Sequence, residues 1–336
     1  MNAASPPSGS DDGGPSARRN PFSHHLARVA DRFPDLLPFL AVPLLTTLLD
    51  ADGVRRTIAE AGNRVSINFE FRFPDPFLDL WSFVDPPAPT AASSTGGSVP
   101  FAPAPVDPPT ATGAGDVTVD LAFQSRSVPL GEAGPGLIAG LLALLVAYAA
   151  VFSVVYAVYV GGIDRRLRGE PIAVVDCVRS YAGRFLAYFA ILFGVFLLAV
   201  PILAVLILLA LPVALLAMYL FYGVPFLFVV ADLPVLEAFR RSYRLALEGG
   251  PYLRFGAWYF VVTLIASPIV SVVVSAGGPV GFLLGLTLVV PLSVLLTAAT
   301  VSFFDEFVGQ SSGAGVETGV DGGAAPHGGG SNDWTD

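Results

Sequence analysis

Between Phe185 and Ala231 the chain runs 47 residues without a single Asp, Glu, Arg, Lys or His. As one α-helix this run would measure roughly 70 Å, against a bilayer hydrocarbon core of about 30 Å. It must fold back on itself, which predicts two membrane helices, at about 185–208 and 211–231. Three further stretches have the same apolar character, at about 136–162, 253–275 and 279–304. Charged residues make up 13% of the chain, about half the usual share in a soluble domain, and the deficit lies in these stretches. A sixth span is predicted at 33–49, short and interrupted by Pro38 and Pro43. The expected fold is an all-α transmembrane helical bundle of about six spans in hairpin repeats, with a small extracellular β-rich insertion.

That insertion is the 50–135 loop. Val65, Ile67, Phe69, Phe71 and Phe73 alternate with Ser66, Asn68, Glu70 and Arg72, and a second alternation follows at Val117, Val119, Leu121 and Phe123. A period of two predicts half-buried strands, separated by a Pro-rich linker at 86–115. Two readings stay open: a β-hairpin lying over the membrane face, or a binding cap anchored by Trp81 and Phe83. The 1–32 flank and the acidic, Gly-rich 309–336 tail bracket the membrane part. Residues 1–20 and the tail have the composition of disordered segments.

Every one of the 18 basic residues is arginine, and the formal charge is −9. This lysine-free, acidic composition resembles that of haloarchaeal proteins, and it argues against nucleic-acid binding. Arginine placement orients the chain. Arg18, Arg19, Arg28 and Arg32, then Arg165, Arg166, Arg168, Arg179 and Arg184, then Arg240, Arg241, Arg244 and Arg254 share one side if there are six spans. The opposite side keeps five arginines, all in the long loop. This predicts a cell-membrane protein with both termini cytoplasmic and 50–135 external.

Two stretches match each other. Val174-Val175-Asp176 leads to Arg179-Ser180-Tyr181, and Val235-Leu236-Glu237 leads to Arg241-Ser242-Tyr243. Prolines 201, 212 and 225 recur at 268, 279 and 291, at offsets of 67, 67 and 66 residues. The match predicts duplicated units at about 165–231 and 232–308 within a membrane domain of 136–308. Each unit reads as an amphipathic helix followed by a hairpin. In the second, Asp232 is placed to cap the helix and Gly249-Gly250 to end it. By the same logic Ala210-Leu211-Pro212 would be the counterpart of the Gly277-Gly278-Pro279 turn. The acidic–Arg-Ser-Tyr–aromatic hairpin pattern resembles the membrane domain associated with glycerophosphoryl diester phosphodiesterases, over roughly 165–308 and more faintly 33–85. In that family the chemistry belongs to a separate soluble barrel with a metal held by His and carboxylates. No such part is present in this sequence, so the resemblance implies a membrane module and not a hydrolase.

The sequence offers little chemistry. His24, His25 and His327 lie in the flank and tail and read as solvated or interfacial, and Cys177 reads as a structural thiol. No spacing suggests a metal or cofactor site. Apart from Asp35 and Arg254 at the very starts of theirs, the spans hold no acid, arginine or histidine, which weighs against an ion-coupled pump. Hydroxyls on the spans (Tyr148, Ser153, Tyr156 and Tyr159, then Ser267, Ser271 and Ser275) are expected to make interhelical hydrogen bonds, or alternatively to line a path. Gly136-x-x-x-Gly140 and Gly281-x-x-x-Gly285 suggest close helix packing. The functional expectation is a non-enzymatic membrane protein that contacts lipid headgroups or a protein partner through Arg179, Arg240, Arg241 and Arg244. The alternative is a transporter or channel subunit for a neutral or lipidic solute.

Overall fold

The computed structural model describes residues 21–60, 67, 72–86, 116–121, 124–129, 135–205 and 207–313. The tails expected to be disordered and most of the Pro-rich linker lie outside them. Five stretches are long and apolar enough to cross a membrane: Ala139–Leu167, Val174–Ala199, Leu211–Val230, Gly250–Ala276 and Gly278–Gly309. A sixth crossing is available from Pro21–Ala30 and Phe33–Leu49, which meet at a 78° bend. Length and composition thus make the chain a multi-pass membrane protein.

Helix α1 (Pro21–Ala30) turns Phe22, His25 and Val29 inward. It is followed by α2 (Phe33–Leu36), a 3₁₀ turn at Leu37–Leu40 and α3 (Ala41–Leu49). These 17 residues would measure about 25 Å as α-helix, and the tighter 3₁₀ turn lengthens them a little. They nearly span the bundle. Arg32 donates to the Leu167 carbonyl at one end, while Thr47 at the other meets Leu80 and Trp81, which lies against Phe282. Helix α4 (Ala51–Glu60) follows.

Helix α5 (Pro135–Leu167) is the second crossing. The third begins as α6 (Val174–Cys177), passes through a π-turn at Val178–Ala182 and continues as α7 (Gly183–Val205). The next helix, α8 (Ile207–Phe221), contains Pro212 in its interior. Ala210-Leu211-Pro212 is therefore helical and not the turn that the repeat suggested. Neighbouring groups in a bundle can re-satisfy the carbonyl that a proline frees, so proline need not end a membrane helix. The run resumes after Gly223 as α9 (Val224–Val230), with Pro225 in its first turn. Arg184 then bonds the Phe228 carbonyl and Asp232, which closes an antiparallel hairpin.

Helix α10 (Val235–Glu248) ends at Gly249, whose φ of +65° only glycine adopts readily. Asp232 does not cap it: Pro234 holds the N-cap position without a side-chain bond, and Asp232 pairs with Arg184 instead. Helices α11 (Gly250–Ala276) and α12 (Gly278–Gly313) form the last hairpin, with Gly278 at φ +62° in the predicted turn. Stacked aromatic pairs tie the elements together: Tyr222 on Tyr252, Phe226 on Phe304, and Phe255 on Phe303.

The β-rich insertion is where expectation and structure part. Val117–Leu121 does lie in a strand, but β1 (Asp116–Leu121) pairs antiparallel with β2 (Gln124–Pro129), Val117 opposite Val128. None of the described residues of 65–73 pairs with it. Of that first alternation Ile67, Arg72 and Phe73 are described, and none is in a strand. Residues 72–79 instead run as irregular chain between the helices and lead into a 3₁₀ turn at Leu80–Ser82, where Asp79 is the N-cap.

The Gly281–Gly285 motif packs within the chain. A Cβ on Gly281 would sit 2.2 Å from the Val273 carbonyl oxygen, and one on Gly285 2.4 Å from Val274. Gly136 and Gly140 have nothing within 4 Å. Gly281→Ala should therefore destabilise the protein by about 1–3 kcal/mol, while Gly140→Ala should leave it within about 0.5 kcal/mol. Unfolding midpoints in a fixed detergent compare the two.

Candidate functional site

The four arginines singled out by sequence separate into different environments. On α10, Ala238, Ser242, Leu245 and Ala246 are buried, and the Ser242 hydroxyl donates to the Leu220 carbonyl. The opposite stripe carries Leu236, Arg240, Tyr243, Arg244 and Leu247, all exposed. At 100° per residue these five fall within one third of the helix circumference. Among the described residues neither Arg240 nor Arg244 has a carboxylate partner. Arg241 is half-buried on the flank.

Arg179 is exposed on the π-turn, away from this stripe. The two Arg-Ser-Tyr elements are not equivalent in space. Tyr181 packs against Gly161, where an added Cβ would meet its ring at 3.2 Å, whereas Tyr243 is 45% exposed. The glycine break gives α10 its own axis. Without one, the first element is continuous with its span.

Several of the remaining arginines at this end are engaged in ion pairs. Arg168 bridges Asp164 and Asp305, each at 3.1 Å, Arg28 meets Glu306 and Arg165 meets Asp176. Arg28, Arg32 and Arg168 clasp α1, α5 and α12 around a cavity of about 20 Å³, room for one water. His25 belongs to this clasp. It is buried, not solvated, with Nδ1 3.1 Å from the Ser302 hydroxyl.

The larger surprise lies inside the bundle. Thr263 is thirteen residues from each end of α11, hence about 20 Å from both. Its hydroxyl lies 3.4 Å from both the amide and the carbonyl of Arg72. Beyond Arg72, Phe73 stacks on Tyr222 and Phe77 on Tyr156. Thr297 donates to the Pro76 carbonyl, Ser267 donates to the Phe83 carbonyl at 2.8 Å, and Thr47 accepts from the Leu80 amide. Asp79 accepts from the amide and hydroxyl of Ser82. Non-helical backbone is tolerated at membrane depth only where protein covers it and pairs its polar groups. The span hydroxyls supply those pairs. Ser267 thus satisfies an inserted chain and not a neighbouring helix.

With Phe73 and Phe77 the segment brings in Arg72, Asp75 and Asp79, so the interior is not free of charge as the spans alone implied. The sequence did carry a sign of this. Pro74 and Pro76 lack the N–H that a central strand must donate, so their extended chain needed other partners.

No protein-family model, curated protein or solved structure matches the chain.

Two outcomes follow. Ser267→Ala leaves the buried Phe83 carbonyl short of its donor and should cost about 1–3 kcal/mol. Ser275→Ala, whose hydroxyl makes a 3.4 Å bond to its own helix, should cost less in the same melt. The second outcome concerns His25, whose pKa burial lowers to about 4; Glu306 opposes the shift, and His24 and Arg28 add to it. The unfolded chain takes its proton near pH 6.5 and the folded one only near 4. Stability is therefore complete above 6.5 and declines as pH falls towards 4. Hydrogen exchange of the α1 amides, corrected for intrinsic rates, should quicken from pH 7.5 to 5 in the wild type. In His25→Gln that pH dependence should be absent.

Proposed function

We propose that the protein is a non-enzymatic membrane component that holds anionic lipid headgroups against the outer face of α10. The carrying observation is the stripe in which Arg240 and Arg244 stand unpaired between exposed Leu236, Tyr243 and Leu247. An interfacial helix needs both parts: apolar side chains to enter the acyl boundary and guanidinium groups to meet phosphates. Arg241 on the flank extends the basic surface, while Arg179 on the π-turn stands apart from it. By the positive-inside rule the arginine-bearing end is cytoplasmic. A lipid-contacting module also fits the likeness to the phosphodiesterase membrane domain and the paired Arg-Ser-Tyr elements, read as a duplication.

A solute path along Ser267 and Ser271 is the weaker proposal, because the Phe83 carbonyl occupies the Ser267 hydroxyl. A protein partner seated on the same stripe is the other occupant to distinguish.

Near a membrane surface each arginine contributes about 1 kcal/mol towards anionic lipid, roughly fivefold in affinity. Arg240→Gln/Arg244→Gln should therefore retain far less anionic lipid through purification, read by native mass spectrometry, with zwitterionic lipid unchanged. Equal retention in both proteins would overturn the lipid reading. Loss of a copurifying protein in place of lipid would favour the partner.

A further inference from the structure

The exposed stripe of α10 has an order as well as a composition. Along the helix it runs Leu236, Arg240, Tyr243, Arg244, Leu247, an apolar residue at each end and the cations between them. At a rise of about 1.5 Å per residue the two arginines stand about 6 Å apart along the axis, and each leucine lies about one turn outside its arginine. Leu236 is 61% exposed and Leu247 65%, so the bundle covers neither.

Two like charges four residues apart on one face repel each other and weaken a helix. The acids of α10 do not relieve them. Glu237 and Glu248 are exposed beyond the edge of the stripe, and among the described residues no ion pair joins either to Arg240 or Arg244. The neutralising charge therefore comes from outside the chain. Each guanidinium is a fork that grips a phosphate through paired N–H groups, so the stripe offers two forks at a set spacing. Two separate lipids would fill them only by ordering two molecules. A single molecule with two phosphates fills the second fork by an intramolecular step. The leucines then place its acyl chains, one on either side of the arginine pair.

We propose that α10 selects diphosphatidyl lipids, in which a short polyol joins two phosphates: one phosphate is held by Arg240 and the other by Arg244, with Tyr243 beside the bridge and the acyl chains passing Leu236 and Leu247. The selection rests on the lipid reading of the same helix face and adds the spacing of the charges that it recognises.

The full chain is reconstituted in phosphatidylcholine vesicles containing either cardiolipin or twice as much phosphatidylglycerol, so that phosphates and acyl chains match. Lipid retained after detergent extraction is counted by native mass spectrometry. The wild type should retain cardiolipin about fivefold over phosphatidylglycerol, the gain from a second arginine meeting phosphate in one binding event. Arg244→Gln should bring the two lipids level. Arg244→Leu/Leu247→Arg keeps the composition but sets the arginines about 10.5 Å apart; its cardiolipin preference should fall while phosphatidylglycerol retention stays. Equal retention of both lipids by the wild type would overturn the selection and leave the lipid reading of α10 standing. Retention of neither would remove both. A preference that survives the exchange of residues 244 and 247 would also overturn the proposal, because spacing would then not set it.

Discussion

A backbone amide or carbonyl in hydrocarbon has no water to fall back on, and this requirement governs the whole molecule. Helices meet it internally, which is why most of the described chain is helical. Residues 72–84 do so only in part, through the 3₁₀ turn at Leu80–Ser82, and the bundle around them is arranged to compensate. Thr47, Thr263, Ser267 and Thr297 come from three crossings and converge on this one segment of chain. Those four hydroxyls do for the segment what a neighbouring strand does in a sheet. Aromatic rings then fill the space between them, Phe73 among Tyr219, Tyr222 and Phe260, and Phe77 among Phe152, Tyr156 and Tyr159.

This bears on how much could be read in advance. The crossings were legible because a run such as 185–231 leaves no alternative, and the Gly277-Gly278 turn because positive φ calls for glycine. The helical path through Pro212 was not, since that proline looked like punctuation and proved compatible with a helix. The alternation before Phe73 suggested a strand for a sound reason. Its described residues, Ile67, Arg72 and Phe73, lie in no strand, and Pro74 and Pro76, which cannot donate to a ladder, announced that the chain after Phe73 needs other partners.

The arginine stripe and the Asp75 cluster differ in the same respect. Arg240 and Arg244 lie within one helix, so helical geometry alone places them beside Leu236 and Leu247. Asp75 and Tyr156 are separated by 81 residues along the chain, and only tertiary folding reveals that they meet. Polarity at the membrane surface was local information. Polarity at its centre was not.

The order of synthesis gives the inserted segment a further meaning. Residues 72–84 leave the ribosome well before the helices that hold them, and their bond from Ser267 closes a separation of 184 residues, that from Thr297 one of 221. Until α11 and α12 arrive, the segment has no complete set of partners and cannot rest among lipids. Assembly of the bundle is thus tied to completion of the chain: an early-made piece must wait outside the hydrocarbon and dock last. A nascent chain stalled before α12 would carry its acids and open carbonyls unsheltered, a form that membrane quality control could tell from the finished protein.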